Sequence, residues 1–235
     1  SKYLDSGNEA RIKKAYESRD PRLQMAVITP YAQYNGASSG IAHTYTLRWP
    51  YRGSDSAEPF DIRTDTNDKF YYLWRKFVPE GLEQTERDTY GLDIPLIRYA
   101  EVLLLKAEAL NEWGSTHESE AIRCVNEVRR RAGHVELNNA TYPATKVNGQ
   151  SDLRERIRNE YYWEIGGEDS MYFHELRWGT WKDKKFDNNR NGLMQMWGET
   201  TYTWYWLGDQ CWSWPIPAKE MEMNSNLEQN EGWIN

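Results

Sequence analysis

The longest ordered alternation of apolar and polar positions runs from Ile94 to Ala132 and reads as two amphipathic helices. Leu96, Ala100, Leu103, Ala107 and Leu110 recur at three- and four-residue steps, so a helix opening just after Pro95 has one apolar face, and Gly114 ends it. Ser115 with Glu118 three residues on is a capping-box start for a second helix, whose stripe is Ala121, Val125, Val128 and Ala132 before Gly133. So short a link obliges the two to pack antiparallel. Beyond a polar loop from Leu137 to Gln150, Ser151 is placed to cap a third helix with the stripe Leu153, Ile157, Tyr161 and Ile165, ended by Gly166-Gly167. A fourth is predicted from Glu168 to Trp178. Two successive helix pairs follow the logic of tetratricopeptide-type repeats, although the letters hold no strict repeat motif.

Elsewhere the period weakens. Glu9 to Glu17 reads as a short helix, Asp20-Pro21 as a turn, and Leu23 to Ile28 as a strand. Lys69 to Val78 reads as a second strand pairing with an earlier one, with Phe70, Tyr72 and Trp74 sharing a face suited to core packing. Glu80 to Asp93 is charged and loop-like. From Pro30 to Gly53, Tyr31, Tyr34, Tyr45, Trp49 and Tyr51 lie among Gly36, Ser38, Ser39, Gly40 and Pro50 with no helical or strand period. Long loops in compact domains lie at the surface and commonly serve a function, so these rings either contact a ligand or fold back on the core. Met194 to Trp214 packs five tryptophans and two tyrosines, Tyr202 and Tyr205, and suits a core strand or hairpin. The tail is a proline-punctuated turn, a short acidic helix start and an irregular end.

Composition narrows the function classes. With 39% hydrophobic and 28% charged residues the chain is a globular protein, one large domain or two small ones. A net charge of −7 argues against a nucleic-acid partner, and the basic run Arg129 to Arg131 suits the last turn of a helix. No apolar run reaches membrane-spanning length, and the polar start SKYLDSGNEAR is not a signal peptide, so the chain as given is not expected to anchor itself. Cys124 and Cys211 lack a metal-ligand spacing; they form one disulfide or stay as two buried thiols.

No reaction is suggested. The histidines show no HExxH spacing, and neither a GxSxG elbow nor a phosphate loop occurs, so no cofactor is expected. Arg98, Glu101 and Glu108 read as helix-surface ion pairs, with Glu101 one turn from Arg98. Glu160 and Glu164, one helical turn apart, could be a glycosidase pair, but such carboxyls face a sugar from different elements, and Arg156 and Arg158 offer ordinary partners. Asp187, Asn189, Asn191 and Gly192 match only the first half of a calcium loop, and a turn is the better reading.

Five segments carry a further signal: RDPRL at 19–23, PLIRYAEVLLLKAEAL at 95–110, VNEVRRRAG at 125–133, IRNEYYWEIGGEDSMYFHELRWG at 157–179 and the tail WPIPAKEMEMNSNLEQNEGW. In this order they resemble the SusD/RagB family of bacterial outer-membrane nutrient-binding lipoproteins, over most of the chain and as that family's C-terminal half. The resemblance implies a mainly α, SusD-like fold of tetratricopeptide-type helix pairs with loop-rich segments and short strands. It divides the chain into a loop-rich segment (1–93), a helix-pair core (94–180) and a Trp-rich C-terminal segment (181–235). Half of a helix-pair array should also expose an apolar patch, away from the aromatic loop.

By the same resemblance, the protein is a non-enzymatic binder of oligosaccharide at the cell surface, passing it to a SusC-like TonB-dependent transporter in the outer membrane. Membrane attachment would come only through a lipid anchor outside this chain. The alternatives are a binder of another nutrient such as peptide, a scaffold docking the transporter, or a glycosidase. The ligand residues fall to rings that no apolar stripe explains. These are Trp49, Tyr51, Tyr34 and Tyr31, with Asn35 and Arg52 beside them to bond hydroxyls, and Trp49 has the largest flat face, stiffened by Pro50.

Overall fold

The computed structural model describes residues 8–38, 41–47, 61–62, 73–81, 91, 93–168, 170–186 and 206–233. The fold is mainly α, and the chain divides into two compact units, Ser1–Met171 and Tyr172–Asn235. The core of the first unit is three helices, α3 (Tyr99–Trp113), α4 (Glu118–Arg131) and α5 (Gln150–Ile165), preceded by α1 (Asn8–Glu17) and α2 (Pro21–Ala26). Packing of α3 on both α4 and α5 closes this core. The predicted stripes are its buried faces: Leu103, Ala107 and Leu110 on α3, Ala121, Val125 and Val128 on α4, and Leu153, Ile157, Tyr161 and Ile165 on α5. Cys124 is buried and Cys211 partly so, both as free thiols.

Three helix starts differ from the sequence reading. α3 opens at Tyr99, and Leu96 lies outside the helix, 89% exposed. The cause is Arg98, which stays extended at φ −112 and ψ 150 so that its guanidinium reaches acids on and just beyond α5. Ser115 makes no side-chain cap; Ser115–His117 is a 3-10 turn, and α4 starts at Glu118. α5 begins at Gln150, so Ser151 lies inside its first turn, and the Asp152 carboxylate instead accepts from the Asn148 backbone N–H at 2.8 Å.

The face of α3 turned away from this core is apolar too, exposing Tyr99, Val102, Leu105 and Trp113, with Ile94, Leu96 and Ile97 just before it. The helix-pair logic predicts a contiguous apolar patch on a face away from the aromatic loop. Its position relative to the aromatic segment around Trp49 lies outside the described residues.

The segment 23–28 is not one strand. Asp20 caps α2 by accepting from the Arg22 N–H at 2.9 Å, with Pro21 in the first turn, so Asp-Pro is here a helix start rather than a plain turn. Only Val27–Ile28 is extended (β1). It pairs antiparallel with β5 (Leu73–Trp74), in the register Val27↔Trp74 and Ile28↔Leu73, which realises the predicted pairing in two residues. Trp74 is 56% exposed rather than core; its ring lies against Gly167, whose φ of +82 and missing Cβ permit the approach. Phe70 and Tyr72 lie outside the described residues.

Much of the predicted aromatic loop is a hairpin. β2 (Gln33–Ser38) and β3 (Ile41–Leu47) pair antiparallel from Gln33↔Thr46 to Ser38↔Ile41, and β4 (Asp61–Ile62) adds parallel to β3. Ile28, Tyr34 and Leu47 form a small core there, flanked by Ala32, Tyr45, Leu73 and Val78. The glycine and serines masked the strand because cross-strand pairing, not local propensity, stabilises it.

Across the boundary between the units runs α6 (Ser170–Arg177), and the second unit adds α7 (Trp181–Lys185) and α8 (Ala218–Met223). Its aromatic centre joins Trp181, Phe186, Trp206 and Trp212, with adjacent rings 5.0 to 5.9 Å apart. Asp209–Trp212 is a 3-10 turn rather than strand, and the rest of the predicted tryptophan strand, through Tyr205, lies outside the described residues. No helix among the described residues is long and apolar enough to cross a membrane.

Candidate functional site

The middle of the first unit is held by a buried ionic network. Arg22 donates to Glu160 Oε1 at 2.7 Å and Glu164 Oε2 at 3.1 Å, while its other nitrogens grip Asp20 at 2.6 and 3.0 Å. Arg129 takes the second oxygen of Glu160 at 2.7 Å, so both oxygens of that inaccessible carboxylate accept from guanidinium groups. Arg98 reaches Glu164 at 2.9 Å and Glu168 at 2.7 Å, and Arg131 adds a further bond to Glu164. Lys76 closes the network on Glu168 and on the backbone carbonyls of Glu164 and Gly166, at 3.1 and 3.3 Å.

These partners replace the predicted ones. Arg156 pairs with Asp152 and Arg158 with Glu155, each along the surface of α5. Of the basic run in α4, Arg129 and Arg131 turn to the network and Arg130 pairs with Glu136. Arg98 bonds Glu164 and Glu168 rather than Glu101.

The electrostatics follow. Burial would raise the Glu164 carboxyl, but hydrogen bonds from Arg98 and Arg22 and the charge of Arg131 outweigh it and hold the group below its ordinary value. Asp20 is likewise raised by burial and lowered further by Arg22, with a net downward shift. Burial and the neighbouring Arg129 lower His134, 3.7 Å from Asp20. A carboxylate held ionised by guanidinium groups is a poor proton donor, so the network fixes geometry rather than moving protons.

Beside the network opens a groove of about 300 Å³. Its apolar lining is Met25, Ala26, Phe77, Pro95 and Trp163, and its polar lining is Arg22, Lys76, Arg98, Arg131 and Glu164. A second recess of about 190 Å³ shares Phe77 and Pro95 and extends to Ile94, Leu96 and Gly167. Trp163 is 46% exposed and backed by the Arg129 guanidinium carbon and the His134 ring centre, each 5.8 Å from its ring centre. Phe77 has φ 61, an unusual backbone conformation for a bulky residue and the kind that clusters at sites. The sequence reading passed over this groove, although one signal was present: Trp163 lies two positions after Tyr161, off the buried stripe of α5, where a polar residue would be ordinary.

Of the predicted ligand residues, Tyr31, Tyr34 and Asn35 are described. Tyr34 is only 4% exposed, and its hydroxyl donates to the Pro79 carbonyl at 2.6 Å, which makes it a core residue of the hairpin with no open face. Tyr31 is half-buried at φ 64, and its N–H donates to Leu47 O at 2.7 Å. The Asn35 side chain accepts from the Thr44 hydroxyl at 2.8 Å on the hairpin surface. Trp49, Tyr51 and Arg52 lie outside the described residues, as do Asp187, Asn189, Asn191 and Gly192.

Comparison with known proteins places this architecture. The sequence pattern of the SusD family matches residues 3–233. The chain is 32% identical over 139 residues to SusD-like protein P38 of Formosa agariphila, covering 59% of this chain and 24% of that one. It is 28% identical over 161 residues to the starch-binding protein SusD of Bacteroides thetaiotaomicron, covering 68% and 25%. A crystal structure of a SusD-like protein from Bacteroides fragilis superposes with a TM-score of 0.59 at 23% identity, over 94% of this chain and 40% of that one, a likeness of fold. The matched region thus spans about a quarter of the curated relatives' length. With a family match across nearly all of its residues and a helical fold shared with a solved member, the chain belongs to the SusD family.

Proposed function

We propose that this chain is part of a non-enzymatic cell-surface protein that binds oligosaccharide for import through a SusC-like TonB-dependent transporter, held at the outer membrane by a lipid anchor outside these residues. The observation that carries the reading is membership of the SusD family with a starch-binding relative at 28% identity. A binding role rather than catalysis is supported by the chemistry of the first unit: Glu160 and Glu164, the carboxylates closest to a glycosidase pair, have all four oxygens bonded to guanidinium groups.

Within this reading the aromatic segment keeps its part. Trp49 is assigned the main stacking face, with Tyr51, Arg52, Tyr31 and Asn35 as further ligand residues; Tyr34 is withdrawn because its ring is buried. Calorimetric titration against a panel of neutral and acidic oligosaccharides and short peptides tests the proposal. Trp49→Ala is expected to weaken the best saccharide by about 1–3 kcal/mol with the melting temperature unchanged. Binding confined to peptides would replace the ligand class, and release of reducing sugar from any polysaccharide would overturn the non-enzymatic assignment.

A further inference from the structure

The groove beside Trp163 borders an ionic network that, among the described residues, is not electrically balanced. Among the described residues, five cations take part, Arg22, Lys76, Arg98, Arg129 and Arg131, against four carboxylates, Asp20, Glu160, Glu164 and Glu168. The chain as a whole carries −7, so this local positive excess runs against its overall charge. The excess also has an outlet. The Arg131 side chain lines the groove and is 58% exposed although it bonds Glu164, and a guanidinium has five N–H donors in a fork that matches planar acids. The rest of the groove's lining is largely apolar, and the Trp163 indole, 46% exposed, has Arg129 and His134 packed against it.

We propose that this groove is a subsite for an anionic saccharide, a sugar bearing a carboxylate or sulfate, with the acid group on Arg131 and Arg98 and the ring against Trp163. The proposal rests on the oligosaccharide reading and narrows its ligand class. A neutral sugar would use the indole but leave the positive excess to water, whereas an acidic one uses both kinds of lining group at once. Charge-assisted bonds to guanidinium are about twice as strong as neutral ones, so the difference should be measurable. A volume of about 300 Å³ lies at the lower end of small-ligand sites, which run from about 300 to 1,000 Å³, and suits one residue of a longer saccharide.

The test is calorimetric titration of the chain with trigalacturonate, a sulfated galactose oligomer of equal length, and maltotriose. One or both acidic oligomers should bind at least about ten-fold tighter than maltotriose at low salt, with the advantage shrinking as sodium chloride rises. The two acidic arms show which acid group is preferred. Arg131→Gln should abolish the advantage, Arg131→Lys should keep part of it, and Trp163→Ala should weaken the acidic oligomers; melting curves of each variant separate loss of the site from loss of the fold. Maltotriose binding as tightly as both acidic oligomers would overturn the subsite while leaving the oligosaccharide reading in place. Acid binding that survives both Arg131→Gln and Trp163→Ala in folded protein would also overturn it. Failure of every saccharide to bind would remove the subsite and the reading beneath it together.

Discussion

The helical centre and the β2–β3 hairpin of the first unit are held together by opposite means. In the centre, charged groups from α2, α4 and α5 and from the segments around Lys76, Arg98 and Glu168 meet in a buried network, and one of its bonds joins residues 142 positions apart. In the hairpin, a backbone ladder between near neighbours is backed by Ile28, Tyr34 and Leu47. The energetics differ accordingly. A buried ion pair contributes little net stability against well-packed apolar groups, because desolvation offsets attraction, yet removing one partner strands the other without water. An apolar cluster loses transfer and cavity terms roughly in proportion to the atoms removed. The first design fixes where helices meet, and the second tolerates graded change.

The largest expected effect separates the two. Glu160→Ala leaves Arg22 and Arg129 each short of a buried partner and should cost about 3–5 kcal/mol in urea unfolding. A cost below about 1 kcal/mol would mean that water or neighbouring groups compensate, and that the network does not order the centre. Leu47→Ala in the hairpin should cost about 2–5 kcal/mol by cavity formation, whereas Leu47→Met, which conserves volume, should cost less than about 1.5 kcal/mol. No comparably mild substitution is expected at Glu160, since even glutamine removes the charge that two arginines share.

Acid should sharpen the contrast further. The folded pKa values of Asp20 and Glu164 lie below their ordinary 3.8 and 4.5, so the unfolded chain binds protons first as pH falls. The stability they contribute is complete above the ordinary carboxylate range and is lost as pH drops through the lowered values. The urea midpoint should therefore decline steeply below about pH 4, and Glu164→Gln should flatten that decline. An unchanged slope in this variant would assign the acid sensitivity to other groups. Smallest of all is the surface pair Arg154–Glu112, whose 2.6 and 2.7 Å bonds are half in solvent; Arg154→Ala should change stability by less than about 1 kcal/mol, and less again in high salt.

The sequence by itself determined the helices of the centre and their inward faces, because a 3.6-residue period is a local property and the stripes of α3, α4 and α5 could bury in no other way. It also carried the family, through ordered segments such as RDPRL and the NEYYWEIGGED part of the longer one, which supply Asp20, Arg22, Glu160, Glu164 and Glu168 to the ionic network. Tertiary structure decided the partners. Arg156 stands one turn from Glu160 in the sequence pattern, but Arg22 and Arg129, brought by other helices, occupy both oxygens of that carboxylate, and no periodicity records which helix arrives there. The same long-range demand held Arg98 extended and delayed α3 by a turn. The hairpin lay hidden for a related reason: Gly36 and Ser38 have poor strand propensity, and only pairing with His43 and Ile41 makes them strand. So Tyr34, read from its loop-like neighbours as a free ring, is enclosed by the sheet that those neighbours build, while Trp163, on a helix whose inward stripe was plain, was left at the edge of a groove that exists only once five separate segments meet.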